Sequence, residues 1–196
     1  AYTQDQITAR IQRGLNASTT AIWSTAVIVQ CIQDGLVELA DYIPNVVLAT
    51  VTTPSGTAEV DISGVTKLIE VMDVEYEPDK NPRRFRNFDI KGNTLIISTD
   101  VSPDANDEVR LYCNKPHDLY GSTSTLDPNI EPLFVDLVAS HLAIDYSVDL
   151  INNVNIGGAR SWQDFIAWGE RKLERTIKQL KKLKPIEIQQ EFPKDA

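Results

Sequence analysis

The chain is poor in the residues that most often carry chemistry. Among 196 residues there are two cysteines, two histidines and one methionine. Cys31 and Cys113 are too few for a disulfide framework and stand in none of the zinc-ligand spacings. No run of about 18 apolar residues occurs, so no transmembrane helix is expected. The opening Ala-Tyr-Thr-Gln-Asp has neither a basic stretch nor an apolar run, so no secretory signal is expected in it. Cations are scarce too: 19 Lys and Arg stand against 28 Asp and Glu, a net charge of −9 with a pI near 4.7. Such a balance disfavours gripping nucleic acid by neutralising its phosphates. A surface that DNA merely passes would tolerate it, because like charge discourages sticking. What is present is ordinary for a globular protein, with 42% hydrophobic and 24% charged residues. That excludes disordered, collagen-like and coiled-coil chains. The length allows one substantial domain or two small ones.

Hydrophobic spacing reads as helices, then strands, then helices. Thr3 is placed as an N-cap with Gln6 at the capping-box position, and Ile7, Ile11 and Leu15 form one stripe ending near Gly14 and Asn16. After the small-residue link Ala17 to Thr20, Ser24 caps a second helix running to about Tyr42. Its stripe is Ile28, Ile32, Leu36, Leu39 and Ile43, widened by Val29, Cys31 and Ala40. So short a link predicts a helical hairpin. From Asn45 the period changes to that of strands. These are expected at 46–53, 57–62, 67–76, 85–90, 94–98 and 108–113, with a hairpin across Lys91-Gly92-Asn93. A long polar connection from Asn114 to Asn129 follows. A third helix, Ile130 to about Leu150, is apolar on two sides: Leu133, Leu137 and Ile144 on one, Val135, Ala139, Leu142 and Tyr146 on the other. It is either central to a bundle or shared between its own domain and a neighbouring subunit. Past a loop at 152–160, Ser161 caps a fourth helix that turns basic at Lys178, Lys181, Lys182 and Lys184, which also suits its dipole. After Pro185 the alternating Ile186 to Phe192 reads as a strand with no partner in its own domain.

The expected fold is therefore α+β. N- and C-terminal helices form an antiparallel bundle (1–44 and 129–184), a small antiparallel β-sandwich or barrel with its exit loop is inserted at 45–128, and 185–196 is an extended tail.

No enzyme motif accompanies these elements, and no catalytic residue, metal or cofactor is expected. His141 with Asp145 four residues on is half of a metal site without a matching third ligand. His117 lies in a loop beside Pro116 and Asp118. Gly157-Gly158 lacks the context of a phosphate loop. Cys31, Cys113 and the three tryptophans, Trp23, Trp162 and Trp168, fit core or interface positions. The acidic set Glu70, Asp73, Glu75, Glu77 and Asp79 alternates with apolar residues, as expected of a solvated strand face. Arg83, Arg84 and Arg86 surround Phe85 and are expected to meet an acidic strand of a neighbouring subunit.

In its order of motifs the chain resembles the head-to-tail connector (adaptor) proteins of tailed bacteriophages. The likeness starts at Trp23-Ser24 and the helix ending Glu38-Leu39-Ala40-Asp41-Tyr42-Ile43-Pro44. It continues through Val60-Asp61-Ile62-Ser63, Leu68-Ile69-Glu70-Val71 and Val109-Arg110-Leu111-Tyr112 to Lys115-Pro116-His117-Asp118-Leu119 and two closing helices. It spans roughly residues 3 to 184. The resemblance implies a structural virion protein of the neck: a ring, usually of twelve copies, bound to the portal above and to a tail or nozzle protein below, around a channel through which DNA leaves without specific binding and with no membrane involved. On that view Lys181, Lys182, Ile186, Ile188 and Phe192 would dock on the portal. Val135, Ala139 and Leu142, with Glu70, Asp73, Glu75, Arg83, Arg84 and Arg86, would meet neighbouring subunits. Loops near 54–56 and 100–106 would face the tail. Alternatives are a tail terminator or tail-tube component, a β-sandwich ligand module using Tyr76, Phe85, Phe88 and Tyr112, and a metal hydrolase using His117 or His141.

Overall fold

The structure, a computed structural model, describes residues 3–15, 23–78, 80–99, 103–119, 124–152 and 161–183, with the backbone alone at 148–152 and 161–162. The fold is α+β, and the chain divides into two compact units, one of Ala1–Ile43 with His117–Ala196 and the other of Pro44–Pro116.

The first unit is helical: α1 (Gln4–Gly14), α2 (Thr25–Ala40), α3 (Glu131–Asn152) and α4 (Ser161–Leu183). Local chemistry starts the first two where the sequence predicts. The Thr3 hydroxyl accepts from the Gln6 amide while the Gln6 side chain accepts from the Thr3 amide, and Ser24 accepts from the Val27 amide. The predicted stripes meet in one core, with Ile7 and Ile11 of α1 and Ile28, Ile32, Leu36 and Leu39 of α2 packed around Phe134, Leu137, Val138 and Leu142 of α3 and Leu180 of α4. Each such side chain stabilises the unit by about 1.5–3 kcal/mol relative to exposure. α3 contacts each of the other three helices, which explains its breadth. It is the bundle's central helix. Close approach is secured by two glycines: a Cβ on Gly35 would lie 2.8 Å from the Val138 side chain, and one on Gly169 would lie 2.8 Å from Ile144.

The second unit is built from β1 (Asn45–Thr52), β2 (Glu59–Asp61), β3 (Glu70–Tyr76), β4 (Phe85–Arg86), β5 (Phe88–Lys91), β6 (Thr94–Ile97) and β7 (Glu108–Lys115). They form two antiparallel sheets, β1-β7-β3-β4 and β2-β6-β5. One core lies between them, including Val60, Val71, Val74, Leu95, Leu111 and Cys113. The 85–90 run does not stay one strand. Phe85–Arg86 pairs with β3 and Phe88–Lys91 with β6, so the chain changes sheets at Asn87. The β5–β6 hairpin turns at Gly92, whose φ of 62° is the left-handed conformation that glycine adopts without strain. The expected strand from Lys67 begins only at Glu70, after Lys67 itself takes φ 56°. A register shift between Val71 and Asp73 marks a bulge opposite Tyr112.

The boundary expected at 128 lies at 116. Residues 117–119 and 124–128 go with the helices, because Leu119 and Leu126 are buried in the helical core. His117 ties them there. Its Nε2 lies 3.1 Å from the Ile43 carbonyl, and its Nδ1 lies 3.1 Å from the carbonyl and 3.2 Å from the hydroxyl of Thr125. The loop histidine is thus a buried staple. The tail 185–196 and the link 17–20 lie outside the described residues.

Candidate functional site

The outer face of the four-stranded sheet brings together Glu70, Asp73, Glu75 and Arg83 among the charged residues that the sequence singles out. Strand alternation decides which: Val109, Leu111 and Cys113 of β7 point into the core, leaving Arg110 and Tyr112 outward. Glu75 pairs with Arg110 on one side and Phe85 on the other, while Asp73 pairs with Tyr112. Phe85 packs on Tyr112 with ring centroids 5.9 Å apart.

The expected solvated acidic face is only partly that. Glu70 and Asp73 are exposed, whereas Glu75 is 1% exposed. Tyr112 and its neighbours cover the Glu75 carboxylate. The Tyr112 hydroxyl donates to Glu75 Oε2 at 3.1 Å and accepts from Arg83 Nη1 at 3.2 Å, and Arg83 Nε lies 3.9 Å from Glu75 Oε1. Burial, then this bond to Glu75, pushes the Tyr112 phenol above its usual range. Beside it Arg84 donates to Glu77 at 2.6 Å, and Arg110 donates to Glu108 at 2.8 Å. Arg83 and Arg84 therefore meet acids of their own chain. β4 folds back antiparallel on β3 and delivers residues 83–86 beside 75–77. Arg86 is the exception: paired with Val74 it lies on the core face, and its buried Nε has no hydrogen-bond partner among the described residues.

At the strand ends Tyr76 donates to Asp107 at 2.7 Å, and Asp107 also accepts from the Asp104 amide. Desolvation, then that bond, pushes the Tyr76 phenol up to about 12. Of the four aromatics considered for ligand binding, Tyr76 is buried and Phe88 packs against the sheet core. Phe85 and Tyr112 alone remain on the outer face.

Two of the three α3 residues assigned to a subunit contact are not available to one. Ala139 and Leu142 are each 1% exposed and belong to the core of the helical unit; Val135 is half-buried. On α4, Lys181 and Lys182 are exposed. With Lys178 they share one side of α4 with Leu173 and Ile177, and with Glu170 and Glu174 toward its other end. Lys172, by contrast, is held by Asp136 at 2.9 Å and lies over the Trp168 ring. Ile186, Ile188 and Phe192 lie outside the described residues, as does Gly157-Gly158.

The residues weighed for chemistry have structural partners. His141 Nε2 lies 2.7 Å from Glu38 on α2 instead of pairing with Asp145. Among the described residues, no group of three His, Cys, Asp or Glu side chains is arranged to hold a metal ion. Burial raises both thiols, Cys31 further by Asp145 and Asp34, which is the reverse of an activated nucleophile. Trp23 is buried against Tyr146, which meets Phe165 edge-on. No described helix is long and apolar enough to cross a membrane.

Sequence reasoning missed the burial of Glu75 and the staple made by His117. Alternation put Glu75 on the outer face, opposite Val74 and Tyr76, as the structure has it; what it could not show is that Tyr112 and Arg83, from other parts of the chain, come over the carboxylate there. Compared with known proteins, the chain matches no family model and no curated sequence.

Proposed function

We propose that the protein is a structural connector of a tailed-phage neck, present in the virion as a ring of copies, most simply twelve, between the portal and a tail or nozzle protein. The reading rests on the order of motifs together with one observation. Past Glu170 and Glu174, the same side of α4 turns basic at Lys178, Lys181 and Lys182, with Leu173 and Ile177 beside them, directly before the tail at 185–196, in a chain whose net charge is −9. A basic, apolar strip leading into an alternating tail suits docking on an acidic, apolar rim, here the portal, with Ile186, Ile188 and Phe192 as anchors. The acidic balance suits a channel that DNA traverses without sticking. Subunit contacts fall to the exposed Glu70 and Asp73 of the β unit and to half-buried Val135. The role is scaffolding rather than catalysis.

The test is the mass of the purified protein with and without the portal ring of its own virus. Full-length protein should bind the portal in multiple copies. Deletion of 185–196, or the double change Lys181→Glu and Lys182→Glu, should abolish binding while the circular dichroism spectrum is kept. Full binding by both variants would overturn the docking assignment, and no binding by the intact chain would overturn the connector reading.

A further inference from the structure

We infer that β1 is an open pairing edge through which two copies of this chain join, β1 against β1, antiparallel. The inference does not rest on the connector reading.

Each sheet has two edges, and three of the four edge strands are blunted in the usual ways, by brevity and by charge. β4 has two residues and carries Arg86; β2 has three, with Glu59 and Asp61; β5 has four, with Asp89 and Lys91. β1 is different. Its eight residues, Asn-Val-Val-Leu-Ala-Thr-Val-Thr, include no charge, no proline and no glycine, and its register with β7 runs unbroken from Asn45↔Lys115 to Thr52↔Glu108. Among the described residues β7 is its sole strand partner.

The free side of this edge can be located. The Thr53 amide donates to the Asp107 carbonyl at 3.0 Å, and the Thr53 carbonyl accepts from the Asn106 amide at 2.9 Å, so Thr53 faces β7. By alternation Val51, Ala49 and Val47 also face β7. The amides and carbonyls of Thr52, Thr50, Leu48 and Val46 then point away from it. Their side chains lie on the outer face, where Val46 is 58% and Leu48 51% exposed.

Such an edge accepts an extended strand, and charge selects which one. Two chains of net charge −9 repel unless they meet where the surface is neutral. β1 meeting its own copy brings no charge against another. Pairing centred on Ala49 sets Leu48 beside the partner's Thr50 and Val46 beside the partner's Thr52. Both exposed apolar side chains gain cover, and the four-stranded sheet becomes one of eight strands.

Sedimentation velocity of the full chain between about 1 and 100 µM should show a monomer–dimer equilibrium. Leu48→Lys should weaken it about 100-fold, through two lysines at the seam and two lost apolar contacts, whereas Ile90→Lys on the β5 edge should leave it unchanged. Hydrogen exchange tests the same edge in the unaltered protein: the amides of Val46, Leu48, Thr50 and Thr52 should be slowed at least tenfold at high concentration relative to low. A chain monomeric throughout that range, association untouched by Leu48→Lys, or unslowed exchange at those four amides would overturn the inference. So would a β1 edge that pairs only with a strand of another protein.

Discussion

A carboxylate in a strand usually marks a wet face, and Glu75 shows when it does not. It is buried because Tyr112 and Arg83 cap it, and among the described residues its hydrogen bond comes from the Tyr112 hydroxyl. Removing that hydroxyl leaves a buried charge without its donor, so Tyr112→Phe should destabilise the β unit by about 1–3 kcal/mol. Adding Glu75→Gln to Tyr112→Phe should restore part of the loss, because the orphaned group is then neutral. Denaturant unfolding of the two variants checks this, and a double variant no better than Tyr112→Phe would refute it. His117 sets a second test. Burial outweighs its bonds to Thr125 and Ile43 and holds its pKa below the usual 6.5. The unfolded chain therefore takes up the proton first as pH falls. Stability contributed by neutral His117 is complete above about pH 6.5 and is lost below it, until the folded state also protonates. Between pH 7.5 and 5.5 the wild-type protein should lose more stability than His117→Gln, itself less stable at pH 7.5; parallel pH profiles would refute the assignment.

The helices were the most legible elements, for reasons that particular residues make plain. Thr3 and Ser24 announce their caps, and Ile28, Ile32, Leu36 and Leu39 keep helical spacing into a single core. The strands were legible in number and face but not in partnership. Nothing local to Phe85–Lys91 reveals that Asn87 is where the chain changes sheets, since pairing is decided by strands far away in sequence. Nor does a helical glycine declare its purpose. Gly35 and Gly169 look like losses of helix propensity, yet at each an added Cβ would press within 2.8 Å of a side chain on α3. Alanine at Gly35 gains about 1 kcal/mol of propensity but drives a methyl against Val138, fully buried beside Phe134. Overpacking of that kind costs about 1–3 kcal/mol. Gly35→Ala should therefore lower the melting temperature of the helical unit, and Val138→Ala in the same chain should relieve the clash. A Gly35→Ala protein more stable than wild type would show that α2 and α3 adjust freely.

At the scale of the whole molecule, the two-sided apolar character of α3 turned out to serve its own unit. That breadth is spent within one copy, where α1, α2 and α4 all pack on it. Among the described residues the exposed large apolar side chains lie elsewhere, at Val46, Leu48, Ile69, Met72 and Ile90 on the β unit and Val27, Val37 and Leu183 on the helices. The sequence could not show this, because hydrophobic periodicity identifies a face to be covered and not what covers it. The division at Pro44 and Pro116 has a further consequence. The β unit is one continuous segment with its own core, and its ends are side by side, since Asn45 pairs with Lys115. Among the described residues, all the side chains of that core come from 44–116. Residues 44–116 expressed alone should therefore fold, with a strand-type circular dichroism spectrum and a cooperative melt, although a segment of that size is only marginally stable. Leu111→Ala, emptying a fully buried position on the central strand β7, should cost about 2–5 kcal/mol and leave the isolated segment largely unfolded at room temperature. The same change in the full chain should abolish the strand unit's melt while the helical signal persists. If instead both signals vanish together, the β unit is not an independent insertion but a part of the helical unit's stability.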